Sequence, residues 1–313
     1  MGRKKGGRPI HGWLVIDKPA GPTSTQVLGR VRRLIGAEKA GHGGTLDPIA
    51  TGVLPIALGE ATKTVAYAME GTKTYRFRAR WGEERTTDDC AGQVTAVSEH
   101  RPSESDLLAV LSRFTGEIEQ IPPQFSAIKV DGERAYDLAR AGEVIDLESR
   151  RVRIDRLSLV ERADDDHAEF EVVCGKGTYM RSLARDLARA VGTVGHVDQL
   201  RRLAVGRFTL ERAISLDELA ALGQGADLDD HLLPIETALD DIPALALTTA
   251  EAQRMRQGQP VGLLRRQDLG RLEELAAACG DGDGILLATA EGRPVALAVL
   301  DGAEVRPVRV LNL

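Results

Sequence analysis

Over residues 74–81, TYRFRARW, apolar and polar side chains alternate: Tyr75, Phe77, Ala79 and Trp81 fall on one side, Arg76, Arg78 and Arg80 on the other. A period of two is the signature of a half-buried strand. The run GWLVIDK (12–18) predicts a short buried strand, and PAGPT after it a turn. Thr23 and Gln26 then form a capping-box pair, ahead of a helix with Val27, Val31 and Leu34 on one face and a stop at Gly36. Ser103 and Asp106 open another helix, running to about Phe114. FSAIKV (125–130) predicts a strand, and ERAYDLARAG a helix stopped by Gly142. RIDRLSLVE and AEFEVVCG predict a strand pair around the acidic loop 162–167. GTYMRSLARDLARAVG is the clearest helix, capped by Thr178 and closed by Gly192.

Strands and helices do not alternate regularly. That favours an α+β fold, with a mixed, largely antiparallel sheet flanked by helices, over a doubly wound parallel sheet. The pattern divides the chain into a basic extension (1–10, a candidate for disorder), a body (11–222), a linker with one short helix (223–244) and a C-terminal module (245–313). In the last, a helix capped by Thr248 and Glu251 precedes three strand-like stretches, GILLATA, RPVALAVLD and AEVRPVRVL. One helix and several short strands in so few residues suggest a small β-barrel-like unit.

Of the 313 residues, 42% are hydrophobic and 28% charged, an ordinary soluble balance. No apolar run approaches the roughly 18 residues of a membrane helix. The basic N-terminus has no apolar stretch behind it, unlike a secretory signal. Cys90, Cys174 and Cys279 stand far apart with no C-x-x-C pair, which suggests neither a zinc site nor a disulfide framework and fits a reduced cytoplasm. The net charge of −6 is unevenly spread. Residues 211–313 carry 9 Lys and Arg against 18 Asp and Glu, leaving 32 basic and 29 acidic residues before them. Basic clusters lie at 3–5, 30–33, 76–80 and 201–202. A mildly basic body leaves room for a polyanion groove, although each cluster also reads as a solvated face.

One carboxylate stands out. Asp47 lies in AGHGGTLDPIATGVLPIALGEATKTV, with Glu38 and Glu60 the nearest other acids. Asp followed by Pro is an ordinary helix start, with Asp47 as cap. The glycines at 41, 43, 44 and 52, however, also let backbone or ligand approach closely. No Lys or Arg lies within six residues, so a cationic partner must come from elsewhere in the chain. There is no G-x-S-x-G elbow, no P-loop and no His pair at metal-ligand spacing. Serine, ATP and metal chemistry are disfavoured, whereas a lone carboxylate can still act as nucleophile or general base.

GHGGTLDPIATGVLPIALGEATK resembles the catalytic motif of the TruB family of tRNA pseudouridine synthases. LVIDKPAGPTS (14–24), KTYRF (73–77), QFSAIKVDGERAYDLARAG (124–142), GKGTYMRSLARDLA (175–188) and HVDQLRRLAVGRF (196–208) resemble its other motifs, in the family's order. The C-terminal module looks like a degenerate PUA-type RNA-binding domain. The one departure in the catalytic motif is Gly43-Gly44-Thr45, where Thr-Gly-Thr or Thr-Gly-Ala is commoner.

The resemblance implies isomerisation of uridine to pseudouridine in the T loop of tRNA, at the position conventionally numbered 55, with no cofactor and no metal. It implies Asp47 as the essential aspartate, Tyr75 as the ring that stacks on a flipped-out uracil, and Arg181 as the aspartate's partner, keeping the carboxylate ionised. Leu200 would wall the pocket. His42 would fill the space left by the flipped base, and Lys18 would be structural or near the pocket. Lys63, Lys129, Arg140, Lys176 and Tyr179 are candidate phosphate contacts. By their residues alone, Tyr75 reads as core, Arg181 as a solvated helix arginine, Leu200 as core and His42 as a loop histidine. The implied partner is the T arm of tRNA, with no membrane, no required protein partner and nothing demanding more than a monomer. Two other readings are an RNA-guided, dyskerin-like box H/ACA synthase and an RNA-binding or tRNA-folding protein with incidental catalysis. Compact length and the absence of Lys-rich tails favour the stand-alone enzyme.

Overall fold

In the computed structural model, residues 7–126, 128–130, 133–134, 146–222, 226–264, 268–279 and 284–313 are described. A ten-stranded sheet forms the body. Along its main path run Ala213–Ile214, Gly12–Lys18, Thr51–Leu58, Gly195–Val205, Lys73–Trp81, His167–Cys174, Arg150–Glu161 and Gly116–Gln120. Only two neighbouring pairs are parallel: Gly12–Lys18 with Ala213–Ile214, and Thr51–Leu58 with Gly195–Val205. The mixed, largely antiparallel sheet is therefore present. Helices Ser24–Ile35 and Met180–Ala190 pack against it through Val27, Val31, Leu183 and Leu187.

The strand at 73–81 buries Phe77, Ala79 and Trp81, as its alternation predicts, and Phe77 stacks on Phe170 at 5.2 Å between ring centres. The Thr23–Gln26 and Ser103–Asp106 capping boxes are both formed, and Gly36 takes the left-handed conformation that ends its helix. In that helix Ile35 is buried where the pattern had placed Leu34, which is only partly covered.

Other expectations need correction. Thr178 does not cap Met180–Ala190: its hydroxyl donates to the Gly175 carbonyl, and the cap position falls to Tyr179. Asp47 caps no helix. Residues 48–49 form a turn, because the chain enters the strand Thr51–Leu58 almost at once. Residue 127 and most of 131–145 lie outside the described residues. What remains of the FSAIKV strand is the pair Lys129–Val130, joined to Glu133–Arg134.

Residues 1–6 of the predicted extension also lie outside the described residues. Arg8, by contrast, bridges to Ala37, its amide donating to Gly36 O at 2.7 Å. Residues 226–239 contain two 3-10 turns, Ala226–His231 and Ile235–Ala238, and Leu228, Leu233, Ile235 and Leu239 are buried, so this stretch of the linker is packed structure.

Alternation along Gly12–Lys18 feeds two cores. Leu14 and Ile16 join the helices on one face. Trp13 and Val15 join Phe208, Leu233 and Ile235 on the other, together with Leu287 and Leu297 from a second, five-stranded sheet between Ala244 and Val310 and with Leu311 just past its last strand. That sheet contains the three predicted strands and two short additional ones, and the helix Leu269–Cys279 is a further element the pattern did not suggest. No helix among the described residues is long and apolar enough to cross a membrane.

A polar staple reinforces the apolar joint between the sheets. Glu60 Oε2 accepts from Lys63 Nζ (2.6 Å) and from the Asn312 amide (2.8 Å), and Lys63 also donates to Val310 O (2.7 Å). Burial alone would raise the Glu60 carboxyl, but the Asn312 amide and the Lys63 ammonium outweigh it and hold it below its ordinary 4.5. A carboxyl lowered by folding contributes stability above its unfolded pKa, and that contribution is lost as pH falls through the folded value. Glu60→Gln should therefore cost about 1–2 kcal/mol at neutral pH, with the gap closing below 4.5. Urea unfolding of both proteins across pH 3–7 checks this, and a gap independent of pH would contradict it.

Candidate active site

The Asp47 carboxylate meets Arg181 twice, at 2.9 Å from Nε to Oδ2 and at 3.2 Å from Nη2 to Oδ1. Arg181 lies in the first turn of Met180–Ala190, 134 positions away in the chain. It is 4% exposed, and its remaining donors reach Thr87 O and Phe125 O, each at 3.0 Å. The Asp89 carboxylate stands 3.9 Å off. A fork of parallel N–H donors matched to two carboxylate oxygens fixes direction as well as distance. About a third of the Asp47 side chain remains open to solvent, so the carboxylate is anchored yet accessible.

The loop that carries Asp47 is held from several sides. Ser24 is buried, donating to Leu46 O and accepting from Leu46 N. The Gly21 amide donates to Pro48 O at 2.8 Å. Lys18, fully buried, donates to Pro19 O (2.9 Å), Pro48 O (3.3 Å) and Ala50 O (2.7 Å). Burial lowers its ammonium to about 8, against the opposing pull of Asp47. Gly52, at φ 99°, lies where the two parallel strands touch. A Cβ there would stand 2.1 Å from Arg202 O, so the seam requires glycine.

The two residues after Asp47, Pro48 and Ile49, line a cavity of about 570 Å³ together with Thr51, Phe77, Leu200 and Arg201, while Asp47, Tyr75 and Arg181 are not among its lining residues. Leu200 is in register with Phe77, and Tyr75 with Arg202, on adjacent strands. Burial pushes the Tyr75 phenol up, while Arg202 acts to lower it and Asp47 to raise it. Tyr75 thus lies opposite Arg202, whose guanidinium donates to Gly44 O, three residues ahead of Asp47.

The peripheral candidates are distributed differently. His42 ends the strand Ala40–His42, and its Nδ1 is buried without a hydrogen bond. Burial, reinforced by Arg202, lowers it below the ordinary 6.5. Lys63 is committed to the second sheet rather than turned to solvent. Lys176 is exposed and paired with Glu70. Tyr179 carries Arg150 over its ring at 4.7 Å, and its backbone exchanges hydrogen bonds with Gln120. Lys129 belongs to a two-residue strand, and Arg140 lies outside the described residues. The outward arginines of 73–81 are matched by acids: Arg76 with Glu171, Arg78 with Asp198 and Arg80 with Glu83. Among the described residues no group of three His, Cys, Asp or Glu side chains could hold a metal ion.

Thr87–Asp89 gave no functional signal in the sequence, and Arg202 only that of a basic cluster at 201–202. Asp88 pairs with Arg185 at 2.9 Å, both largely buried; burial raises the Asp88 carboxyl against the opposing pull of Arg185. Asp89 Oδ1 accepts from the Thr87 hydroxyl at 2.6 Å and the Ala91 amide at 3.0 Å. The signal present was an adjacent acid pair in TTDDCAG, unremarkable without its basic partners.

A sequence profile described as TruB family pseudouridylate synthase (N terminal domain) matches residues 32–180, and one described as tRNA pseudouridylate synthase B C-terminal domain matches residues 181–240. The chain belongs to the TruB family. Its relatives include tRNA pseudouridine synthase B of Rhodospirillum rubrum, 56% identical with both chains fully covered. The protein of that name in Bradyrhizobium diazoefficiens is 55% identical, over 98% of this chain and 87% of its own. Among solved structures, a chain of a Cbf5-Nop10-Gar1 complex superposes with a TM-score of 0.72 at 23% identity, covering 96% of this TruB-family chain and 85% of its own. A chain of an H/ACA RNP bound to a substrate RNA containing 2'-deoxyuridine gives 0.72 at 22%, covering 100% and 92%. At that identity these two speak to the fold alone.

The Arg181 fork suggests a direct stability test. A lysine offers one compact ammonium and cannot serve Asp47 twice as well as Thr87 O and Phe125 O. Arg181→Lys should lower unfolding free energy by about 2–3 kcal/mol. Denaturant unfolding measures this; a change below about 0.5 kcal/mol, the level of an ordinary surface substitution, would mean the fork is not holding the loops together.

Proposed function

We propose that this chain isomerises uridine to pseudouridine in the T loop of tRNA, acting alone, with Asp47 as the essential carboxylate. The observation that carries the reading is the anchored but accessible Asp47 carboxylate, held in two-point contact by buried Arg181, with a cavity of about 570 Å³ lined by the next two residues, Pro48 and Ile49. The names of full-length relatives at 55–56% identity support tRNA as the substrate.

The reaction breaks the N1–C1′ glycosidic bond, turns the uracil and joins C5 to the same C1′. The C5 hydrogen leaves as a proton and N1 gains one, so atoms balance with no cofactor. An ionised carboxylate suits attack on the ribose, attack on the base or removal of a ribose proton. Arg181 presents it in a fixed direction, which contributes through orientation. The target base must leave its stack, at a cost of a few kcal/mol, and Ile49, Phe77 and Leu200 line the cavity that would receive it, with Tyr75 as the ring to stack on it. His42 is suited to occupy the vacated space in the RNA. A folded T arm is recognised by shape and backbone. Because the outward arginines already have acidic partners, phosphates would bind by displacing carboxylates, a salt-sensitive exchange.

The test is tritium release from a T-arm stem-loop labelled at uridine C5, with wild type and Asp47→Asn side by side. Wild type should release tritium without any guide RNA, and the variant should be slower by about 10³-fold or more while still binding the RNA. Release by the variant at the wild-type rate would remove Asp47 from the chemistry. Release only with an added guide RNA would reject the stand-alone reading.

A further inference from the structure

Resting on that reading, we propose that Arg202 is a positioning residue for the reaction, holding the Asp47 loop and Tyr75 in register across the parallel seam of the sheet. Arg202 is 1% exposed, one of the largest fully buried side chains among the described residues. Its guanidinium donates to Val53 O (2.8 Å), Gly44 O (3.0 Å) and Thr45 O (3.4 Å), and among the described residues it forms no ion pair. Burying a cation without a carboxylate is costly, and an apolar side chain of similar volume would serve packing alone at least as well.

The location of those acceptors explains what the charge does. Gly44 and Thr45 lie immediately ahead of the Leu46–Asp47 pair. Val53 belongs to the strand that the Asp47 loop enters, and Tyr75 is the register partner of Arg202 on the other side. The planar fork therefore joins the approach to Asp47 and the exit from it, while the backbone of the same residue pairs with the strand bearing Tyr75. The backbone is locked at the same point, since a Cβ on Gly52 would collide with Arg202 O. The charge also acts on its surroundings: it adds to burial in lowering His42 and Lys73, acts against the Lys18 ammonium, and acts on the Tyr75 hydroxyl. A lysine would keep the charge and lose the span.

Two variants test this on the full chain, with the T-arm stem-loop as probe. Arg202→Lys keeps the charge; Arg202→Met fills the volume without it and is expected to fold even where a buried ammonium is not tolerated. Both should slow single-turnover pseudouridine formation by about 10- to 100-fold at saturating RNA, with Kd within about threefold of wild type. In a Tyr75→Phe background the added loss from Arg202→Met should shrink, because the two residues act as one unit. Losses that multiply in the double variant, a defect confined to Kd, or an unchanged rate would each overturn the proposal. An inactive wild type would instead reject the synthase reading itself.

Discussion

A guanidinium taken out of water must find acceptors for its donors, and Arg181 finds them on three segments distant in sequence: the Asp47 carboxylate and the carbonyls of Thr87 and Phe125. The helix Met180–Ala190 delivers it, anchored in the core by Leu183 and Leu187. The sheet supplies the other half of the geometry. Its parallel contact between Thr51–Leu58 and Gly195–Val205 brings the Asp47 loop next to the strand that carries Leu200, Arg201 and Arg202. Remove the fork, and nothing in the loop's own sequence specifies where the carboxylate points, since no Lys or Arg lies within six residues of it.

Around Arg202 the structure concentrates buried cations. Lys18 and Lys73 are both brought to about 8, chiefly by burial, and Arg202 adds to the effect on each. Lys18 and Arg202 spend their donors on backbone carbonyls, converting charge into rigidity of the loops. At the outer face the opposite arrangement holds, with Arg76, Arg78 and Arg80 matched by acids. A rigid interior and an exchangeable surface suit a site that must keep one carboxylate oriented while a large anionic ligand comes and goes. The second sheet is tied to the body by a shared apolar core and by the Glu60–Lys63 staple, close in sequence to the Asp47 motif.

Elements whose signals are local were legible in the sequence. The alternation at 73–81 and the capping boxes at Thr23, Ser103 and Thr248 need no tertiary partner, and all are present. The two strands that form the seam were not legible. Thr51–Leu58 is apolar on both faces and contains Pro55, which argues against a central strand; its amide-free position is tolerated here. Gly195–Val205 hides its period because Arg202, a charged residue, occupies an interior position. Asp47 looked like a helix cap because the Asp-Pro signal is real; what overrode it was the nearby strand and the Arg181 fork. The juxtaposition of Asp47 with Arg181 followed only from the family motif, since periodicity says nothing about which distant arginine arrives. Lys63 illustrates the reverse: it sits in a family motif, yet it is engaged by Glu60 and by Val310 O of the C-terminal strand.

The most direct measurement is a nucleotide-resolution map of pseudouridine in an unmodified tRNA transcript incubated with the purified chain and nothing else. A single new pseudouridine is expected, in the T loop, formed without guide RNA or partner protein. Modification at another position, at many positions, or only after a guide RNA is supplied would contradict it.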